Sequence, residues 1–324
     1  MQHTKEKASP VMVVVAFAIL YIVWGSTYFF IQKAMVYFPP MLLGALRFLA
    51  AGTLMLAWCA VRGEKLFNWQ HIKRAAVTGI LLLFIGTGAV IWAEKTLPSS
   101  LVAMIVASEA IWLVLLDKPN WKSNLTSKNT VFGLVAGFIG VLLLFWETAA
   151  GAIAGGHTYG IAGFAVLVVG TISWAGGSLY SKARPGGSAI VSAAWQMLAA
   201  GAAFVPFSML NHEWQGFEWT SVPAGGWLSV LYLVAMGSLA GYSAYVWLLR
   251  VKPVTQVSTH VYVNPVVAVL LGMFFAKEHL SWLQIAGLII ILSSVLLINL
   301  AKYRYASKVE KSIRLQENKL SCPA

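Results

Sequence analysis

The chain has 324 residues, of which 59% are hydrophobic and only 10% charged, whereas a soluble domain carries about 25% charged residues. That composition excludes an ordinary soluble enzyme and points to an all-α polytopic membrane protein, with the bilayer itself as its first partner. The formal charge of +12 does not imply nucleic-acid binding, because basic residues gathered in short loops between apolar runs are the signature of membrane orientation.

The first apolar run follows Lys5 and Lys7 and extends for about 20 residues. It is too long for a signal-peptide core and lacks a small-residue cleavage site, so it is expected to stay as a spanning helix. Ten runs of membrane-spanning length follow one another at about 11–32, 40–61, 74–93, 98–116, 129–146, 159–181, 188–210, 224–249, 254–276 and 281–301. With the N-terminus placed in the cytoplasm, nineteen of the 23 Lys and Arg residues fall on the inner side. Lys33, Lys95 and Lys277 fall outside and Arg47 lies within helix 2. Both termini are therefore predicted to be cytoplasmic. Cys59 and Cys322 support neither a disulfide framework nor a thiolate metal site, and the ending SCPA is no prenylation box. No cofactor is implied.

The second half echoes the first. "VWGS" at Val23 returns as "SWAG" at Ser173, placing Trp24 opposite Trp174, and "RFLAAG" at Arg47 returns as "QMLAAG" at Gln196. Gly86, Trp92, Pro98 and Leu116 each find the same residue type 155 positions on, and "GLVAGFIGVLL" at Gly133 is answered by "GLIIILSSVLL" at Gly287. Five spans in each half is an odd number, so the second half must enter the membrane from the opposite side. The expected architecture is a 5+5 inverted-topology repeat: residues 1–150, residues 151–302, and a basic cytoplasmic tail at 303–324. Such a layout sets a substrate site near the midplane between the halves and favours a carrier over a channel.

"WGSTYFFIQKA" in helix 1, "RFLAAG" in helix 2, "LPSSLVAMIVASEA" leading into helix 4 and "YVNPVVAVLLGMFFAKEHLS" in helix 9 resemble the EamA family of the drug/metabolite transporter superfamily over about residues 11–302. The resemblance implies an inner-membrane exporter of amino acids, related metabolites or amphipathic toxic compounds, with a central cavity lined by helices 1, 3, 4, 6, 8 and 9. Two departures stand out. Glu278 in the second half has no counterpart in the first, and Ala110 follows Glu109 where Pro265 follows Asn264, so helix 4 lacks a proline to break it.

Glu109 lies eleven residues into helix 4, about 16 Å deep at 1.5 Å per residue. Its repeat mate is Asn264. A carboxylate at that depth is costly enough to read as functional: it takes up the proton that couples transport, or holds the ammonium of an amino-acid-like substrate, against a purely structural hydrogen bond between helices. Arg47 reads either as a carboxylate receptor or ion-pair partner of Glu109, or as a peripheral side chain snorkelling outward. The latter is the expectation, since helix 2 is placed at the periphery. His260 is a candidate proton relay, and one histidine makes no metal site. Trp24 and Trp174 lie too deep for headgroup anchors and suggest an aromatic cavity wall suited to amphipathic or cationic solutes. Tyr262 adds a phenol near Asn264. The glycines of helices 3 and 8 allow either close packing or a cavity.

An intramembrane hydrolase would need a nucleophile and base at depth, and no such motif is present. A nucleotide-sugar or phosphorylated-metabolite exchanger would need several cavity cations, and Arg47 is the sole intramembrane one. The partners expected are thus a small-molecule substrate and protons. Substrate identity and oligomeric state are not encoded.

Overall fold

The computed structural model describes residues 9–95, 97, 102, 105–154, 161–276 and 281–298. The tail at 303–324, Lys277, Glu278 and the outer start of helix 4 at Pro98 lie outside them. Among the described residues there are no strands.

The helices are α1 (Pro10–Met35), α2 (Pro40–Val61), α3 (Trp69–Ala93), α4 (Ile105–Leu116), α5 (Lys128–Ala154), α6 (Ile161–Ala183), α7 (Ala189–Leu210), α8 (Ala224–Val251), α9 (His260–Ala276) and α10 (Trp282–Ile298). Seven of them, α1, α2, α3, α5, α6, α7 and α8, are long and apolar enough to cross a bilayer, and α4 and α10 are shorter apolar helices. Large apolar side chains project outward from them, among them Val14 and Ile22 of α1, Phe132 and Ile139 of α5, and Leu292 of α10. A surface of that kind is stable against lipid and not against water.

Local chemistry sets the helix ends. Pro10 and Pro40 occupy first-turn positions where an amide hydrogen is not needed. Asn68 caps α3 by accepting from Gln70 N and His71 N at 3.1 and 3.2 Å. α2 ends in a left-handed turn at Gly63 (φ 71°), with Gly63 N bonded to Ala60 O and Glu64 N to Cys59 O. α7 ends in the same turn at His212 (φ 56°), where His212 N bonds Met209 O and Glu213 N bonds Ser208 O. A β-carbon in that conformation costs about 1 kcal/mol, partly offset by the freedom glycine adds to the unfolded chain. His212→Gly is therefore predicted to raise stability by roughly 0.5 kcal/mol, read as a higher unfolding midpoint in detergent; an unchanged or lower midpoint would mean the imidazole compensates the strain.

Side-chain contacts sort the loops to two ends. At one end Trp195 Nε1 donates to Leu66 O (3.1 Å), Arg250 donates to Gly186 O and Gly187 O, and Lys182 Nζ donates to Leu249 O and Lys252 O. Lys65, Lys182, Arg184, Arg250 and Lys252 thus share this basic end. At the other end Leu42 N donates to Glu213 Oε2 (2.7 Å), and Phe38 packs on Phe217 and Trp227.

The helices interlock through reciprocal contacts. On α2, a methyl placed on Gly52 would lie 2.7 Å from Leu198 Cγ; on α7, one placed on Gly201 would lie 2.8 Å from Leu49 Cγ. Gly86 of α3 faces Trp174 of α6, and Gly241 of α8 faces Trp24 of α1. α3 and α8 each widen to π-helical bonding, at Ile80–Thr87 and Leu233–Tyr242, a geometry common at functional sites. A second apolar cluster joins α4, α5, α9 and α10 through Val114, Val141, Tyr262 and Ile291.

Candidate functional site

The widened turns and breaks of the helices surround a cavity of about 110 Å³. α1 supplies Trp24, Thr27 and Tyr28; α2, Arg47 and Phe48; α3, Gly86, Thr87 and Val90; α4, Glu109; α6, Thr171 and Trp174; α8, Gly237 and Tyr242; and α9, His260 and Asn264. At roughly 10–15 Å³ per water on this measure, the space holds about eight waters, enough for a small metabolite but not for the 300–1,000 Å³ class of drug-sized ligands.

Glu109 is buried, and its Oε1 has no hydrogen-bond partner among the described residues. α4 breaks one residue before it without any proline. Ser108 turns its hydroxyl onto Ile105 O at 2.6 Å, and Ile111 N reaches back only three residues to Ser108 O. α9 is preceded by the same device, Ser258 Oγ to Thr255 O (3.1 Å) and Thr259 Oγ1 to Gln256 O (2.6 Å). Hydroxyls competing for helix carbonyls do here what a proline was expected to do.

Arg47 does not snorkel outward. It is 7% exposed, its Nε donates to Ser238 Oγ at 2.8 Å, and its guanidinium lies over the Phe48 ring at 5.0 Å. Gly237 makes room for it, since a β-carbon there would sit 2.9 Å from Nη2. No ion pair joins Arg47 to Glu109 or to any other carboxylate among the described residues. One cavity therefore holds a carboxylate and a guanidinium, each free of the other.

Trp24 stands within 5.1 to 5.7 Å of the rings of Trp174, Tyr245 and His260. Trp24 Nε1 donates to Gly237 O (3.1 Å), Trp174 Nε1 to Tyr245 Oη (2.9 Å), and Tyr245 shares a hydrogen with Ser178 (2.6 Å). Since the cavity runs from Trp24 through Thr27 and Tyr28 toward the C-terminus of α1, this four-ring cluster floors it on the side of the basic end. Tyr21 and Thr259, hydrogen-bonded at 2.6 Å, pin α1 to the segment before α9. His260 Nδ1 lies 2.9 Å from Val257 O. A carbonyl only accepts, so Nδ1 carries the hydrogen and Nε2 is left as an acceptor. The Asn264 amide, with its nitrogen facing them, donates to Tyr21 O (3.2 Å) and His260 O (3.0 Å).

Of the residues singled out in the sequence, Glu109, Asn264, Trp24, Trp174, His260 and Arg47 meet at this cavity. Tyr262 does not: it is fully buried, donates to Leu134 O at 3.0 Å and packs on Gly137, holding α9 to α5. Two residues apart on a helix is about 200° of rotation, which sets Tyr262 opposite His260. The same rule would have found Thr27 and Tyr28, one turn from Trp24, which sequence reasoning missed. A second, apolar crevice of about 480 Å³ lies between α2, α3, α6 and α7, and no charged side chain among the described residues lines it.

The sequence pattern of the EamA-like transporter family matches residues 11–146 and 161–300. The chain is 36% identical over 292 residues to the uncharacterized inner membrane transporter YedA of Escherichia coli K12, covering 89% of this chain and 91% of that one. It is 27% identical to Protein PecM of Dickeya dadantii (85% and 88% covered) and 25% identical to a probable amino-acid metabolite efflux pump of Salmonella typhimurium (87% and 93%). A crystal structure of another protein, 20% identical, shares the fold with a TM-score of 0.72 over 92% of this chain and 99% of that one. The family match on both halves and the similarity to YedA along nearly the whole chain settle its membership: this protein belongs to the EamA-like transporter family.

Proposed function

We infer that the protein is an inner-membrane secondary transporter that exports small amphipathic metabolites of the amino-acid kind by alternating access, with protons as the coupling ion. The observation that carries this reading is the cavity holding Glu109 and Arg47 unpaired with one another. A carboxylate and a guanidinium in one small space match the ammonium and carboxylate of a zwitterion, and the indole walls suit its apolar part. The efflux pump of Salmonella typhimurium, named for amino-acid metabolites, lends the same substrate class. A phosphorylated-metabolite exchanger would want several permanent cations, and Arg47 is the single Lys or Arg among the lining residues.

Ten spans in two inverted halves, residues 1–150 and 151–302, fit the reciprocal contacts. Gly52 with Leu198 and Gly201 with Leu49 are interchanged by a shift of 149 positions, as expected of a pseudo-two-fold axis where contact i to j implies j to i. The widened turns of α3 and α8, and the matching ends of α2 and α7 at Gly63 and His212, occupy equivalent places in the two halves. The basic end is then cytoplasmic, the ring cluster is a closed inner gate, and the cavity belongs to an outward-facing arrangement.

The test is flux in liposomes containing purified protein, with and without an imposed pH gradient, using labelled amino acids beside larger cationic dyes. Saturable amino-acid movement, accelerated by the gradient, is the expected result; non-saturating conductance, or dyes carried in preference, would overturn it.

A further inference from the structure

One charged side chain near the cavity has no part in the site above. Glu94 follows the last residue of α3, and the residues of that helix that face the cavity, Leu83, Gly86, Thr87 and Val90, recur at spacings of three and four. Glu94 is the next position of the stripe, four residues and about 6 Å beyond Val90. Both of its carboxylate oxygens are buried, and neither has a hydrogen-bond partner among the described residues. Tyr28 lines the cavity one turn from Trp24 and lies within electrostatic reach of both Glu94 and Glu109. The phenol therefore has two acidic groups in its neighbourhood, Glu109 of the cavity lining and Glu94 one turn beyond Val90.

Two buried carboxylate oxygens without partners are expensive unless a ligand meets them. A divalent metal is a poor candidate: among the described residues no three His, Cys, Asp or Glu side chains gather to hold one, and calcium or magnesium takes six or more oxygens. A compact organic cation asks for less, a single carboxylate and an aromatic face. We propose that Glu94, one turn beyond the cavity-lining Val90 and with Tyr28 nearby, is a second cation site next to the cavity, taking a protonated amine or quaternary ammonium. The site rests on the transporter reading for its purpose and stands apart from it for its test.

Burial pushes the Glu94 carboxyl up to about 8, so a cation must displace a proton there at neutral pH. The titratable or charged groups set around this column are Tyr28 from α1, Arg47 from α2, Glu109 from α4, Tyr242 from α8 and His260 from α9, with exposed Lys95 beside Glu94 itself; the α6 residues that line it, Leu167, Gly170, Thr171 and Trp174, are all neutral. A permanently charged probe isolates the protein's own titration. Binding of labelled tetramethylammonium to the full chain in lipid nanodiscs is measured from pH 6 to 9 in E109Q, which lacks the deeper carboxylate, in E94Q/E109Q, and in E94D/E109Q.

In E109Q the affinity is expected to rise about tenfold per pH unit up to pH 8 and level above it, as one proton is displaced per cation bound. E94Q/E109Q is expected to lose at least tenfold at pH 8 together with the slope, and E94D/E109Q to keep the slope. Equal binding in E109Q and E94Q/E109Q, or none in E109Q, overturns the proposal, with indole fluorescence and unfolding midpoints establishing that each variant is folded. Failure of the two readings is separable. Intact pH-dependent binding without flux in the wild type removes the carrier and leaves the site, while saturable flux with binding indifferent to Glu94 removes the site and leaves the carrier.

Discussion

Glu109→Gln is expected to reduce export about a hundredfold at sub-saturating substrate while leaving the protein at least as stable as the wild type. The change keeps the size and shape of the side chain and removes its charge. If the ammonium of the substrate pairs with Glu109 inside a desolvated cavity, losing one partner costs about 3 kcal/mol, roughly a hundredfold in affinity. Any coupling that depends on this carboxyl binding and releasing a proton disappears too, so residual flux should no longer respond to a pH gradient. The stability half of the prediction separates this role from a structural one. Oε1 has no partner among the described residues, so the substitution breaks no hydrogen bond there and removes the burden of a buried ionisable group. A helix-to-helix strut would behave in the opposite way, with a lowered unfolding midpoint and flux falling only with the amount of folded protein. Measurement of both quantities on one preparation decides between them, and unchanged transport with unchanged pH response would remove Glu109 from the mechanism.

What could be read from the sequence divides by the range of the information. The depth of Glu109 needed only a count along one helix, and the pairing of Trp24 with Trp174 needed only the repeat; both residues lie at the cavity. The inward turn of Arg47 depended on which face of α2 meets α8 and on the vacancy that Gly237 leaves there, a contact 190 positions distant in sequence that no local pattern encodes. Tyr262 was misplaced for the contrary reason, since nearness in sequence outweighed the helical rotation that sends it to α5. The break before Glu109 was sought in a proline, when Ser108 had the chemistry to make it. Glu94 fell between categories, one residue past the end of a span and so counted with the loop, although it continues the spacing of the cavity face of α3.

Alanine at Gly52 and alanine at Gly201 are expected to destabilise by similar amounts, about 2 kcal/mol each, and the double variant by clearly less than twice that. Each added methyl would press on the opposite helix at a leucine and at its backbone: 2.7 Å from Leu198 Cγ and 2.9 Å from Leu198 N for Gly52, and 2.8 Å from both Leu49 Cγ and Leu49 N for Gly201. These distances are shorter than carbon atoms tolerate, and backbone cannot rotate away as a side chain does. The equality is what the proposed two-fold relation between the halves requires of the crossings. The shortfall in the double variant follows from their sharing one interface, because helices pushed apart by the first methyl have already made part of the room the second requires. Unfolding midpoints in detergent give all three values. Should Gly52→Ala be silent while Gly201→Ala carries its full cost, the α2–α7 contact would be one-sided, and the inverted relation of the halves would lose the contact that most directly expresses it. Transport adds a second readout. The proposed alternating access would need the two halves to rock against each other, and a crossing wedged open by a methyl should then slow export in folded protein beyond what its loss of stability explains.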